Sequence, residues 1–154
     1  MSKIHLGNPW PLGSTLTKKG VNFSIAAPTA DGIQLLIFRN SDDKRPKEIF
    51  ELDHTHRSGD YWHIEVEGLQ EGNLYAYKVF DAKQKNRKRD FSAKVLLDPC
   101  ARAISGWNAY KRATAIGNGS NVMSCLKGVV CERDEFDLAA HPRPRHRLNQ
   151  SVIY

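Results

Sequence analysis

The sequence has no apolar run approaching the ~20 residues that a membrane-crossing helix needs. That excludes a helical span and leaves no expected membrane partner. Cysteine is scarce: Cys100, Cys125 and Cys131 leave one thiol unpaired within the chain whatever the other two do. The spacing of Cys125 and Cys131 is not that of a metal knuckle, and no histidine lies close in sequence to complete a ligand set. The thiols are therefore expected to be reduced and to pack, and no metal or cofactor is expected. The opening, Met1-Ser2-Lys3-Ile4-His5-Leu6, lacks the apolar stretch of a signal peptide, so the expected location is the cytoplasm. Internal repeats, low-complexity tracts and long 3.6-residue periodicities are also missing. With 154 residues the chain is too short for a complete (β/α)8 barrel of ~250 residues, yet long enough to bury one core.

Positive charge is in excess, at net +6, but it is unevenly placed. Lys83, Lys85, Arg87, Lys88 and Arg89 crowd into one segment, and Arg143, Arg145 and Arg147 into another; the rest of the chain is slightly acidic. A basic run can hold phosphates, which keeps a nucleic-acid binder in view. Residues 81–90, however, read as a turn between apolar stretches, without the aromatic ladder of a single-strand platform. A solvated turn is the stronger reading. The second cluster alternates with Pro142 and Pro144 and reads as an extended linker.

What the sequence does contain is period-two apolar patterning. Val21, Phe23 and Ile25 alternate with Asn22 and Ser24, and Trp62, Ile64 and Val66 with His63, Glu65 and Glu67. Residues 33–38 are apolar at nearly every place, as in a strand covered on both faces. Ile49, Phe50 and Leu52 form a weaker segment, and residues 74–80 a further one with Tyr75, Tyr77 and Val79 on one face. Turn residues punctuate these runs at 28–32, 40–46, 58–60 and 72–73. The pattern predicts an all-β fold, an antiparallel immunoglobulin-like sandwich. Beyond it, Asp98 as cap, Pro99 at the first position and Gly106 at the end predict one or two helical turns over 99–105. Residues 107–121 read as loop, and 126–131 as a short returning strand. Ser151-Val152-Ile153-Tyr154 looks like the first half of another strand.

Several stretches together resemble one family. Pro9-Trp10-Pro11-Leu12-Gly13 and Gly20-Val21-Asn22-Phe23-Ser24-Ile25 are similar to the opening of isoamylase-type glycogen debranching enzymes. The likeness continues through residues 33–38, Trp62-His63 and Gly72-Asn73-Leu74-Tyr75-Ala76-Tyr77-Lys78-Val79. It is sharpest from Ala93 through Asp98-Pro99-Cys100-Ala101-Arg102-Ala103-Ile104-Ser105-Gly106. Phe136-Asp137 and the Val-Ile-Tyr ending resemble the lead-in to the family's catalytic barrel. The sequence departs from the family at Cys100, where tyrosine is frequent, at Leu138, where tryptophan often follows, and at Phe91-Ser92, where asparagine-proline is common.

The resemblance implies the N-terminal sandwich module of these enzymes, carbohydrate-binding module family 48, spanning 1–106. Residues 107–154 would then be loop and extended linker toward a glycoside hydrolase family 13 barrel that cleaves α-1,6 branch points. The catalytic carboxylates of the family lie on that barrel, so no catalytic residue is expected here. Asp42-Asp43, Glu65 with Glu67, and Glu132, Asp134 and Glu135 are expected to be solvated surface rather than a catalytic pair. His54 and His56 near Ser58 and Asp60 lack a nucleophile elbow and are not expected to form a triad. In glycan-binding members two tryptophans and a lysine hold the sugar; Lys78 matches the lysine, and the loops 40–47 and 82–89 contain no tryptophan. Rings stack on the apolar face of a pyranose, which leaves Trp10, Tyr61, Trp62 and Trp107 as further sugar-binding candidates. Trp62 shares the Ile64 and Val66 face and is assigned to the core. The expected partners are α-glucan (glycogen or maltodextrin) held weakly, a catalytic barrel in cis or trans, and a second copy of the chain. The alternative is a stand-alone protein-interaction domain without sugar binding.

Overall fold

Alternation fixes which side chains meet. On the strand Gly20–Ala26 (β3), Val21, Phe23 and Ile25 are buried, and on Tyr61–Glu67 (β7) so are Trp62, Ile64 and Val66. The two strands pair antiparallel, with Val21 opposite Val66, Phe23 opposite Ile64 and Ile25 opposite Trp62. Two apolar rows thus become one surface. A second such surface comes from Gly32–Phe38 (β4), Glu48–Leu52 (β5) and Leu74–Phe80 (β8). There Ile33 lies between Leu52 and Val79, Leu35 between Phe50 and Tyr77, and Ile37 opposite Tyr75. The two surfaces close on each other as one core. Burying each large side chain is worth ~1.5–3 kcal/mol.

The computed structural model describes residues 2–80, 93–132 and 140. Among them, short strands complete the two sheets, and every pairing is antiparallel. In the first sheet Gly13–Leu16 (β2) extends β3, while Ile4–His5 (β1) and Arg57–Ser58 (β6) share the far edge of β7. In the second, Ala103–Ser105 (β9) and Lys127–Val129 (β10) follow β8, giving the order β5-β4-β8-β10-β9. The architecture is the expected sandwich, and all five segments with period-two or continuous apolar patterning are strands.

The continuous apolar run at 33–38 has its explanation in a third layer. Ile33, Leu35 and Ile37 face the first sheet, whereas Leu36 and Phe38 face away, packed with Leu74, Ala76, Val95 and Cys125. Val95, Val122 and Cys125 supply the apolar side chains of this cover. Asn121 ties it down by accepting from the Val95 N–H at 2.7 Å and donating to the Val95 carbonyl at 2.9 Å. Lys94 is also buried there, its ammonium donating to the Thr114 carbonyl. Thr114 belongs to the short helix Arg112–Ile116 (α1), which lies within the stretch read as loop. Cys125 is buried, Cys131 half-buried and Cys100 exposed, and all three are free thiols.

The expectation for residues 99–105 is corrected. Residues 99–105 are not helical: Asp98 does cap a turn, accepting from the Cys100 N–H, and the Ala101 N–H closes on the Asp98 carbonyl at 3.1 Å. The chain then runs as β9 against β10, because cross-strand bonds supply the backbone with partners that a single helical turn cannot. The returning strand expected at 126–131 is β10, and it lies between β8 and β9. β10, at Lys127–Val129, thus adds to the second sheet a strand that follows residue 106 in the chain. Among the described residues no helix is long and apolar enough to cross a membrane. The basic clusters 83–89 and 143–147, the Phe136-Asp137 pair and the ending 151–154 lie outside the described residues.

Candidate functional site

The outward residues of the first sheet are polar, as alternation predicts, yet Asn22, Ser24 and His63 are buried. Residues 6–10 cross over them as a strap. Asn22 accepts from the Asn8 N–H at 2.7 Å and donates to the Asn8 carbonyl at 3.1 Å. The Ser24 hydroxyl donates to the Pro9 carbonyl at 2.7 Å, and His63 Nδ1 lies 2.8 Å from the Leu6 carbonyl. Gly7 makes the close crossing possible: its φ is +73°, and a Cβ there would press on Asn22 and on the backbone at Glu65. The strap delivers Trp10 to the surface, 67% exposed, where it meets Tyr61 edge-on at 6.5 Å and 79°. Leu6, 54% exposed, lies on the same strap.

A second exposed aromatic pair stands at the rim of the other sheet. Gly106, with φ +100°, ends β9 and turns the chain. The Ala109 N–H then closes on the Gly106 carbonyl and the Tyr110 N–H on the Trp107 carbonyl. This turn brings Trp107, 63% exposed, and Tyr110 together at 6.1 Å and 72°. Beside Trp107 lies a cleft of 710 Å³ lined by Ser41, Asp42, Ile104, Ser105 and Asn108 among others.

The sequence-predicted candidates do not converge. Trp10 and Tyr61 meet each other on the outside of the first sheet. Lys78 is half-buried on the outside of the second, in a cross-strand row with Gln34 and Glu51, whose side chains bond at 3.2 Å. Trp107 follows β9 and lines a cleft with Ser41 and Asp42, and Lys78 is not among the described residues that line it. Trp62 has no exposed surface; its indole N–H donates to the Ala27 carbonyl at 3.0 Å, and the Arg57 guanidinium covers its ring at 5.2 Å. Its place is the core, as the alternation implies, and its ring is out of reach of a ligand. Tyr110 and the contribution of Asp42 to a cleft were missed by sequence reasoning. The Trp-x-x-Tyr spacing was the available signal for the first; the second depends on tertiary contact between loops.

The carboxylates are locally engaged. Asp43 accepts from the Asn40 and Arg39 N–H groups at 3.0 and 2.9 Å, and these bonds hold its carboxyl below the ordinary range. Glu65 accepts from the Thr17 hydroxyl at 2.6 Å, and Glu67 is paired with His5, which lowers its pKa. The Asp53 carboxyl is pulled down to about 2 by bonds from Thr55 and His56. Ser58 does contact a histidine, but it is His63 at 2.8 Å, and a backbone carbonyl rather than a carboxylate faces the other ring nitrogen. Among the described residues no group of histidine, cysteine and acidic side chains has the arrangement of a metal site.

Known proteins resemble this chain in sequence and in fold. The family model of carbohydrate-binding module 48 (isoamylase N-terminal domain) matches residues 11–101. The glycogen debranching enzyme of Pectobacterium carotovorum subsp. carotovorum (strain PC1) is 34% identical over 140 residues, which cover 90% of this chain and 19% of that enzyme. The glycogen debranching enzyme of Dickeya chrysanthemi is 32% identical over 159 residues, covering 100% of this chain and 23% of the enzyme. The chain thus spans about a fifth of the length of these relatives. Among solved structures, a pullulanase from Bacillus acidopullulyticus superposes with a TM-score of 0.53 at 25% identity, over 84% of this chain and 12% of that one. The catalytic module of the glycogen-degrading pneumococcal virulence factor SpuA gives 0.57 at 15% identity, over 82% and 17%, a likeness of fold alone.

Proposed function

Because this chain belongs to the carbohydrate-binding module 48 family, we propose that it is an α-glucan-directed accessory module that works beside a catalytic unit and breaks no glycosidic bond itself. The observation that carries this reading is the family match over 11–101, joined to debranching-enzyme relatives of which the chain spans only 19–23%. Branch-point hydrolysis needs an acid and a carboxylate facing each other across the scissile bond. Asp43, Asp53, Glu65 and Glu67 are instead each occupied by neighbouring N–H, O–H or imidazole groups. Exposed rings, the groups suited to a pyranose face, are present at Trp107 and Tyr110.

The two aromatic pairs divide the work. Trp10, Tyr61 and Leu6 form an apolar surface of the kind that seeks a protein partner, and its role in this reading is packing against the catalytic unit or, without it, a second copy. Residues beyond Glu132 act as the connector. Electrophoresis of the 154-residue chain through gels with and without glycogen tests the glucan-directed part. Retardation by glycogen is expected, and unchanged mobility would overturn it. Reducing-sugar release that scales with added chain would overturn the non-cleaving part.

A further inference from the structure

We propose that the cleft beside Trp107 is the place where the chain stacks a neutral hexopyranose, with a short run of α-glucan as its ligand. The inference rests on the glucan-directed reading and assigns it a site. Trp107 is 63% exposed and meets Tyr110 in a T-shaped pair. Ile104, 39% exposed, continues the apolar wall. Around this wall stand the Asp42 carboxylate, the Asn108 amide and the Ser41 and Ser105 hydroxyls, an acceptor-rich set matched to sugar hydroxyls. Among the described residues no lysine or arginine lines the cleft, whereas the Asp42 carboxylate does, which favours a neutral ligand over an anionic one.

The walls are also held before any ligand arrives. Lys127, wholly buried, donates from its ammonium to the Ser41 carbonyl at 2.6 Å and lies over the Phe38 ring at 4.7 Å. Asp43 fixes the start of the same loop through the Arg39 and Asn40 N–H groups. On the other wall Gly106 sits so close to the chain just before β10 that a Cβ would come within 3.1 Å of the Cys125 carbonyl. A preformed cleft spares the ligand the entropy of ordering two loops.

The test uses the 154-residue chain and maltoheptaose, followed by the indole N–H signals of Trp10, Trp62 and Trp107 in a 15N-resolved spectrum. Trp107 is expected to shift on titration while Trp62, bonded inside the core, does not. Trp107→Ala should weaken binding by about tenfold or more, ~1.4 kcal/mol, and Trp10→Ala should leave it unchanged. Asp42→Asn, which keeps the ring and the fold, should weaken it several-fold. If maltoheptaose binds but moves Trp10 rather than Trp107, or if Trp107→Ala binds as before, this inference is wrong and the glucan-directed reading stands. If no glucan binds, both fall. Should Trp107→Ala fail to fold, the wild-type shifts and Asp42→Asn decide alone.

Discussion

Two neighbouring buried tyrosines on β8 should respond in opposite ways to the loss of one oxygen atom. The Tyr75 hydroxyl donates to Asp98 Oδ2 at 2.8 Å, both groups being buried, and the second carboxylate oxygen accepts from the Cys100 N–H at 2.8 Å. Tyr75→Phe leaves the ring against Phe23 at 4.9 Å and Tyr77 at 5.9 Å and removes only the hydroxyl. A hydrogen bond to a charged group is worth ~1.5–3 kcal/mol and one between neutral groups ~0.5–1.5 kcal/mol. The ionisation of Asp98 therefore sets the size of the effect. Burial pushes its carboxyl above the ordinary value, against the pull of the bonds from Cys100 and Tyr75. With the folded value above the unfolded one of ~3.9, the bound proton's contribution to stability is complete below ~3.9 and is lost as pH rises through the folded value. Removing the hydroxyl raises the folded value further and widens that window. In urea unfolding Tyr75→Phe should therefore cost more near pH 7 than near pH 4, within the limits of ~1.5–3 kcal/mol for a fully ionised Asp98 and ~0.5–1.5 kcal/mol for a fully protonated one. The hydroxyl of Tyr77, equally buried, has no hydrogen-bond partner among the described residues. Tyr77→Phe relieves that desolvation and should be neutral or stabilising by up to ~1 kcal/mol. A cost for Tyr75→Phe that is equal at the two pH values, or larger in acid, would refute the reasoning. So would a Tyr77→Phe variant as unstable as Tyr75→Phe.

Other substitutions separate crowded positions from open ones. A Cβ at Gly20 would overlap the Val66 carbonyl oxygen, whereas at Gly32 the nearest atom, the Leu52 carbonyl oxygen, is 3.8 Å away. Gly20→Ala should cost ~1–3 kcal/mol in thermal unfolding, and Gly32→Ala should gain up to ~1 kcal/mol. Trp62→Ala empties the centre of the core and should cost ~3–5 kcal/mol, while Trp10→Ser, at the surface, should cost less than ~1 kcal/mol; equal losses would contradict the assigned burial. The Asp53 carboxyl should titrate at about 2 by NMR, and Thr55→Val should move it back toward the ordinary value.

The sandwich could be read because strands with one buried face carry their own address. Phe23 and Trp62 alternate with polar neighbours whatever their partners are, and the two-faced run at 33–38 announced a cover that the structure supplies from Val95, Val122 and Cys125. The segment 99–105 could not be read in the same way. Its capping signals are local and favour a turn, and a turn does form at 98–101. The path of the chain beyond that turn is decided by β10, more than twenty residues further along, which offers Ala103, Ile104 and Ser105 a full set of partners. The candidate site divides likewise. Exposed aromatics at 10, 61, 107 and 110 are visible as residues, but their grouping is not.

Residue order alone therefore determined the fold class, the two core faces and the burial of Trp62, because hydrophobic periodicity is a property of neighbours along the chain. Which exposed rings share a surface was decided by tertiary structure. The strap over Asn22, Ser24 and His63 carries Trp10 to Tyr61, and the buried Lys127 holds the 40–43 loop against the turn that bears Trp107. Both depend on hydrogen bonds between segments far apart in sequence, and no local pattern encodes those.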